Sequence, residues 1–517
     1  MLLRFLRPQW AVLGLGATVY AAALVIVRGR PTVCCDAGIF LSVAARLLRG
    51  DRLYSGVWDN KPPFFYYTAA TSLDVAGWRG PFLIDVLWIA VAAICMWLLL
   101  ETIGGSSWSR AVGLVVYPLL LTGAWYYAGY SELPTLALAP AFGWLWLRGS
   151  PSAAGAVLGV AAFFRPDYGF LFLALFVAPA VVRAIDGAAL RRNALRLLAG
   201  FAAAAAASVA VVAARGELTA YVATMRTNVG YPNQVLVQMG EQSGVLGHLT
   251  LAARMLTHDS LRSRLLALVS LALCVLLVAP IRERFRGRSS PERPDATTVL
   301  SAFFVGTVLA TAMTLALTAL WDHSLELIAL PATFATCLLV SRIDAAVRSR
   351  TRRLVAIVPT AAACVIAFGG LSFGSPSSPE SSWPLAYWWR TPRSVSAVAL
   401  DKAAAELHWS RELITYARLG YNNEEAHALF IDARLKLACP LFHQYTFSSN
   451  LDQALACIRD RRPELLVVGP SFGAYESPTT QRWDAFVSDS RRLLRARYLK
   501  VLEMPDEGGK VEVWRRQ

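Results

Sequence analysis

The chain has 517 residues and a formal net charge of +15, yet only 16% of its residues are charged while 56% are hydrophobic. A soluble domain carries roughly a quarter of its residues as charges, so a water-soluble globule is excluded and a bilayer is the expected solvent. The basic residues gather in short clusters between apolar runs, as they do in membrane loops, which argues against nucleic acid as a partner.

A crossing needs about twenty apolar residues. In chain order the candidate spans are 9–27, 81–100, 111–128, 132–147, 153–165, 167–185, 197–214, 263–281, 297–320, 325–341 and 353–372, eleven in all. The run 153–165 is short for a crossing. It is expected to form a tight hairpin or a broken helix with the next span, joined at Arg165-Pro166-Asp167. Met1 to Val27 has a charged front and an apolar run but no small-residue cleavage site, so it reads as a retained first helix, with a signal peptide as the competing reading.

Alternating the spans from a cytoplasmic N-terminus puts three basic clusters on one side, together with Arg4 and Arg7. They are Arg183 with Arg191, Arg192 and Arg196; Arg282, Arg284, Arg286, Arg288 and Arg293; and Arg342, Arg348, Arg350, Arg352 and Arg353. Positive residues in short loops mark the cytoplasm. The expectation is a multi-pass protein of the plasma or inner membrane, N-terminus inside and C-terminal segment outside.

Residues 1–372 then form the transmembrane unit, with outer loops at 28–80 and 215–262, the second turning at Gly230-Tyr231-Pro232-Asn233. Residues 373–517 form an extracytoplasmic domain behind a Ser/Pro-rich linker, Ser375 to Pro384. This tail mixes an amphipathic stretch, Ala397–Arg418, with the strand-like run Leu465–Val468. A hairpin of Tyr498–Glu503 and Val511–Trp514 is expected around Glu507-Gly508-Gly509, which makes a small α/β domain the natural reading. Cys439 and Cys457 share the tail and would pair in an oxidising compartment, although their separation is not readable from sequence. No metal-ligand spacing is present.

Chemistry concentrates in the first outer loop. Ile39, Phe40, Val43, Leu47 and Leu48 recur at helical spacing, so Asp36 heads an amphipathic helix lying along the interface, and Gly50 ends it. The chain returns through Tyr54 and Trp58-Asp59-Asn60-Lys61-Pro62-Pro63-Phe64 into a second, aromatic-rich helix. A carboxylate and an ammonium thus flank one interfacial helix. A purely structural reading also fits, with Asp36 as an N-cap and Lys61 snorkelling to the headgroups.

Asp36, Leu47-Leu48-Arg49-Gly50, Tyr54 and Asp59-Asn60-Lys61-Pro62-Pro63 fall in order on the first external loop of the GT-C glycosyltransferases. The stretch most resembles the dolichyl-phosphate-mannose–protein mannosyltransferase family and its bacterial relatives, which include the lipid A aminoarabinose transferase. The resemblance is close over the motif; the other spans and the tail agree only in layout. It implies a GT-C-like polytopic fold and transfer of a sugar from a polyprenyl-phosphate donor to a lipid, glycan or protein acceptor on the outer face. Asp36 would be the general base. Lys61, by motif, and Arg165, by position, would stabilise the leaving phosphate. Tyr54, Asp59 and Asn60 would line the substrate.

Many relatives place a second acidic residue directly after the first. Here Ala37 stands there, which counts against a paired-carboxylate or metal-binding role at that point and leaves a divalent metal only as an open cofactor. Glu132, after Tyr130-Ser131 in the next short outer loop, is the candidate second carboxylate; it also suits the positive end of the helix it begins. Arg165 and Asp167 also fit a simple mutual pair. His323 could contact a sugar hydroxyl, with helix capping by Asp322-His323 as the alternative. Tyr231 and Asn233 are placed to line an acceptor path. A transporter or lipid flippase, or a non-catalytic GT-C-like partner, are the rival classes. Against a transporter, no pair of matching halves with broken helices is visible.

Overall fold

In a bilayer, apolar runs can satisfy their backbone groups internally only as helices or closed barrels, and here they form helices. The structure, a computed structural model, describes residues 35–57, 59, 61–123, 131–182, 187–228, 244–248, 250, 296–317, 327–346, 395–406, 415–419, 436–439, 448–469, 480–506 and 509–517. The membrane unit comprises α1 (Cys35–Leu48), α2 (Pro63–Ala76), α3 (Gly80–Ile103), α4 (Ser107–Gly123), α5 (Glu132–Leu147), α6 (Pro151–Ala162), α7 (Gly169–Val182), α8 (Gly187–Ala214), α9 (Leu218–Asn228), α10 (Ala296–Leu317) and α11 (Ala329–Ala346). The expected spans 9–27, 263–281 and 353–372 lie outside the described residues. Each of the others coincides with a helix.

By length and composition, α3, α8 and α10 could each cross a membrane. Their outward faces match that solvent. Along α3, Leu83, Leu87 and Ile94 are about half exposed, and along α7 the series Leu173, Val177 and Val181 recurs every four residues. Such stripes are unfavourable in water and neutral against lipid tails. Polar side chains within the helices are turned back on their own backbone: Thr307, Thr333 and Thr336 each donate to the carbonyl four residues earlier.

The short run before Arg165 is α6, about 18 Å long at 1.5 Å per residue. It does not form a tight hairpin with α7; the break falls at the expected Arg165-Pro166-Asp167 junction. The helix stops at Ala162, Arg165 is extended (φ −152°, ψ 89°), and α7 follows a 3₁₀ turn, Pro166–Tyr168. Instead α6 packs along α8, while α7 packs on α10. Glycine dictates this choice. A Cβ on Gly155 would lie 1.9 Å from the Leu197 carbonyl oxygen, and one on Gly200 would lie 1.9 Å from that of Ser152. Small residues at such spacing let membrane helices approach to backbone contact. Gly155→Val is therefore expected to cost about 1–3 kcal/mol or more, the overpacking penalty, read as a lowered unfolding temperature of the purified protein in detergent.

Helix α8 starts ten residues before the expected span, so Arg191, Arg192 and Arg196 ride on a helix rather than in a loop. Ala, Leu and Arg are good helix formers, and arginine stems can lie along apolar surface with the charge in water.

The tail is an α/β unit as expected. Helices α12 (Val395–Glu406), α13 (Ser448–Arg461) and α14 (Thr480–Arg497) accompany strands β1 (Thr415–Leu419), β2 (Lys436–Leu437), β3 (Leu465–Val468), β4 (Tyr498–Asp506) and β5 (Gly509–Arg516). The sheet order is β2-β1-β3-β5-β4. Strand β1 is parallel to β2 and β3, and β5 is antiparallel to β3 and β4. The expected hairpin is present and longer than anticipated. The stretch 397–418 is not one helix: its end turns into β1, where a parallel partner, Leu465–Val468, is available for Tyr416 to Leu419. Cys439 and Cys457 form a disulfide, Cα–Cα 5.8 Å, bracketing a core that includes Leu455, Ile458, Phe486 and Leu494.

Candidate active site

Helix α1 buries Phe40, Leu41, Val43, Ala44 and Leu47 against α2, and Leu48 stays about half exposed. The helix begins at Cys35, so Asp36 lies inside its first turn. Phe40, four residues on, occupies the same helix face. Gly50, at φ 90°, turns the chain, and its N–H closes on the Leu47 carbonyl (3.1 Å). An ion pair between buried Arg46 and half-buried Asp51 fixes the exit.

The return segment is a tight turn. The Tyr54 N–H donates to the Val57 carbonyl (2.6 Å), and the Val57 N–H to that of Arg52 (3.1 Å). Tyr54 has a left-handed backbone, φ 67°, a conformation that costs a non-glycine residue energy and tends to cluster at working sites. Its phenol donates to the Lys61 carbonyl (2.8 Å). Burial first, then electrostatic coupling to the Tyr221 and Tyr67 phenols and to Asp59 and Glu217, holds this phenol well above its ordinary pKa, so it is a donor at neutral pH. Asp59 is fully buried nearby. The Lys61 ammonium sits 5.9 Å from the centre of the Phe40 ring, within cation–π range. The Lys-Pro-Pro turn thus brings its cation to Phe40, one helical turn after position 36.

A second polar cluster joins α5 to the α6–α7 connection. Arg165 forms a forked pair with Asp167 (Nε–Oδ1 2.9 Å, Nη2–Oδ2 2.6 Å), and its Nη1 reaches Glu132 and the Ser131 hydroxyl. Glu132 is the first residue of α5 and fully buried. Burial works against the guanidinium charge, and Asp167 and Glu132 together outweigh it, raising the Arg165 pKa further. One cation is shared by two carboxylates. As a phosphate-binding group Arg165 is already engaged, unlike Lys61, whose charge faces an aromatic ring.

Aromatic rings connect the two clusters. Phe64 lies 5.3 Å from Phe163 and 6.2 Å from Phe164, ring centre to ring centre. Phe163 stacks on Tyr221 at 6.0 Å, and Tyr221 meets Tyr54 at 5.6 Å. Segments that the charge pattern assigns to the outer side, the first loop, the Arg165 turn and the start of the 215–262 loop, therefore meet in space.

Sequence reasoning missed Glu217. This residue lies three positions beyond the end of α8 and is 1% exposed. Its Oε1 accepts the Leu53 N–H (2.9 Å) and lies 3.5 Å from Arg215 Nε; its other oxygen accepts the Tyr67 hydroxyl. The available signal was an acidic residue three positions after a span, in a chain with only 35 acidic residues. Asn60, His323, Tyr231 and Asn233 lie outside the described residues, as does the side chain of Asp36. Among the described residues no three His, Cys, Asp or Glu side chains gather in a way that could hold a metal ion.

No family model and no curated protein matches the chain. Among solved structures it is similar to ArnT from Cupriavidus metallidurans bound to undecaprenyl phosphate, at 13% identity over 98% of each chain. The TM-score is 0.47. The apo crystal structure of the same protein gives 14% identity and a TM-score of 0.45, over 98% of this chain and 97% of that one. With both scores under 0.5, the site rests on this chain's own residues.

Proposed function

We propose that the protein is a polytopic membrane glycosyltransferase moving a sugar from a polyprenyl-phosphate donor to an acceptor hydroxyl on the extracytoplasmic face. The observation that carries this reading is the Lys61 ammonium over Phe40, one helical turn from Asp36, inside the loop that carries the GT-C-like motif. The acceptor oxygen attacks the anomeric carbon and its proton passes to the Asp36 carboxylate. The bond from that carbon to the phosphate oxygen breaks, and polyprenyl phosphate leaves with its charge met by Lys61. A single displacement inverts the anomeric centre. Arg165 would meet phosphate only by leaving Asp167; Glu132 serves here as the second carboxylate, holding Arg165 in place.

The placement outside the cell membrane draws support from the arginine clusters and from the Cys439–Cys457 disulfide, since such bonds persist in oxidising compartments. The test uses purified protein in vesicles with polyprenyl-phosphate sugars, with and without a chelator, which also decides the divalent-metal expectation. Sugar appearing on an acceptor fraction supports the reading. Saturable uptake or lipid flipping without transfer would replace it with the transporter reading.

A further inference from the structure

Glu217 lies outside the motif, yet it grips the segment that presents Lys61. It is buried at the junction of α8 and α9, and its carboxylate reaches across to the first outer loop. There it accepts the backbone N–H of Leu53 (2.9 Å) and the hydroxyl of Tyr67 from α2. Tyr221, one turn further along α9, places its ring 5.6 Å from that of Tyr54. One face of α9 therefore holds residue 53 through its backbone and residue 54 through its ring.

The grip continues toward the cation. Tyr54 is kept in a left-handed conformation (φ 67°), and its phenol donates to the Lys61 carbonyl at 2.8 Å. Unpaired, the Leu53 N–H would lose a buried partner and the turn its reason to stay strained. Arg215 closes the arrangement from outside, 3.5 Å from the carboxylate and stacked over Tyr67 at 4.7 Å.

We infer that Glu217 is a positioning residue that sets the location of the Lys61 ammonium through Leu53 and Tyr54. Lys61's role as the phosphate-binding cation rests on the proposed function; the mechanical link does not. Glutamine at 217 can still accept from Leu53 and donate to the Tyr67 oxygen, whereas alanine takes the acceptor from the Leu53 N–H and leaves Tyr67 to Arg215.

The experiment measures the rate at which an amine-selective reagent labels each lysine in the detergent-purified full chain, read by mass spectrometry, beside the donor KM. In Glu217→Ala, Lys61 labelling is expected to change about fivefold, the shift that one lost hydrogen bond allows, while Lys402, Lys500 and Lys510 label as in the parent. Tyr54→Phe, which cuts the link downstream and is mild enough to fold, is expected to match it. Glu217→Gln stays near the parent rate. The donor KM rises by a similar factor in the first two variants, which mere loss of folded protein would not produce. Unchanged Lys61 labelling in both Glu217→Ala and Tyr54→Phe overturns the inference, even if transfer is intact. A parent protein that transfers no sugar sinks the functional reading, and the labelling result still decides the link.

Discussion

Asp36→Asn is expected to lower sugar transfer about 10²- to 10⁴-fold, the usual contribution of a positioned general base, with donor binding unchanged. The amide keeps the size of the side chain and, on the proposed function, removes its ability to take the acceptor proton. Lys61 stays over Phe40, so if it is the phosphate's cation, as proposed, the loss falls on kcat rather than on donor KM. The check is a turnover series set against donor binding by the same preparation. An Asp36 that merely supports the helix N-terminus would give a small fall in stability and near-normal turnover instead.

Arg165→Ala carries the largest expected effect on stability, about 3–5 kcal/mol, because it leaves Glu132 buried without its cation. Removing both charges should be gentler than removing one. Arg165→Met combined with Glu132→Gln is predicted to recover much of the loss, since replacing a buried pair by neutral groups is often near neutral. Denaturant or thermal unfolding in detergent distinguishes the two cases. If Arg165 were chiefly a donor-phosphate ligand, Arg165→Ala would raise the donor KM and leave the unfolding transition where it was.

The sequence disclosed most where physics acts locally. Hydropathy marked the helices because a bilayer leaves the backbone few alternatives, and the helical spacing of Phe40, Val43 and Leu47 marked the face that α1 buries. The strand Leu465–Val468 and the hairpin after Tyr498 were readable from β-branched runs and a Gly-Gly turn. Partnerships set by distant contacts were not. That α6 would choose α8 over α7 depends on Gly155 meeting Leu197 and Gly200 meeting Ser152, and nothing near 153–165 announces those neighbours. The end of the amphipathic stretch 397–418 becomes a strand only because β3 is beside it. Glu217 bonds to Leu53, 164 positions away, so neither motif nor periodicity points to it. The Tyr54 turn was legible as part of a family-like pattern, but its left-handed backbone and its bond to the Lys61 carbonyl were not.

The most direct measurement follows one accepted donor through turnover by the purified protein, recording both the released lipid and the anomeric configuration of the product. The account predicts one polyprenyl phosphate released per sugar transferred, and a product of inverted configuration. Retained configuration would contradict the single displacement with Asp36 as base. No release of polyprenyl phosphate from any donor would contradict the glycosyltransferase reading itself.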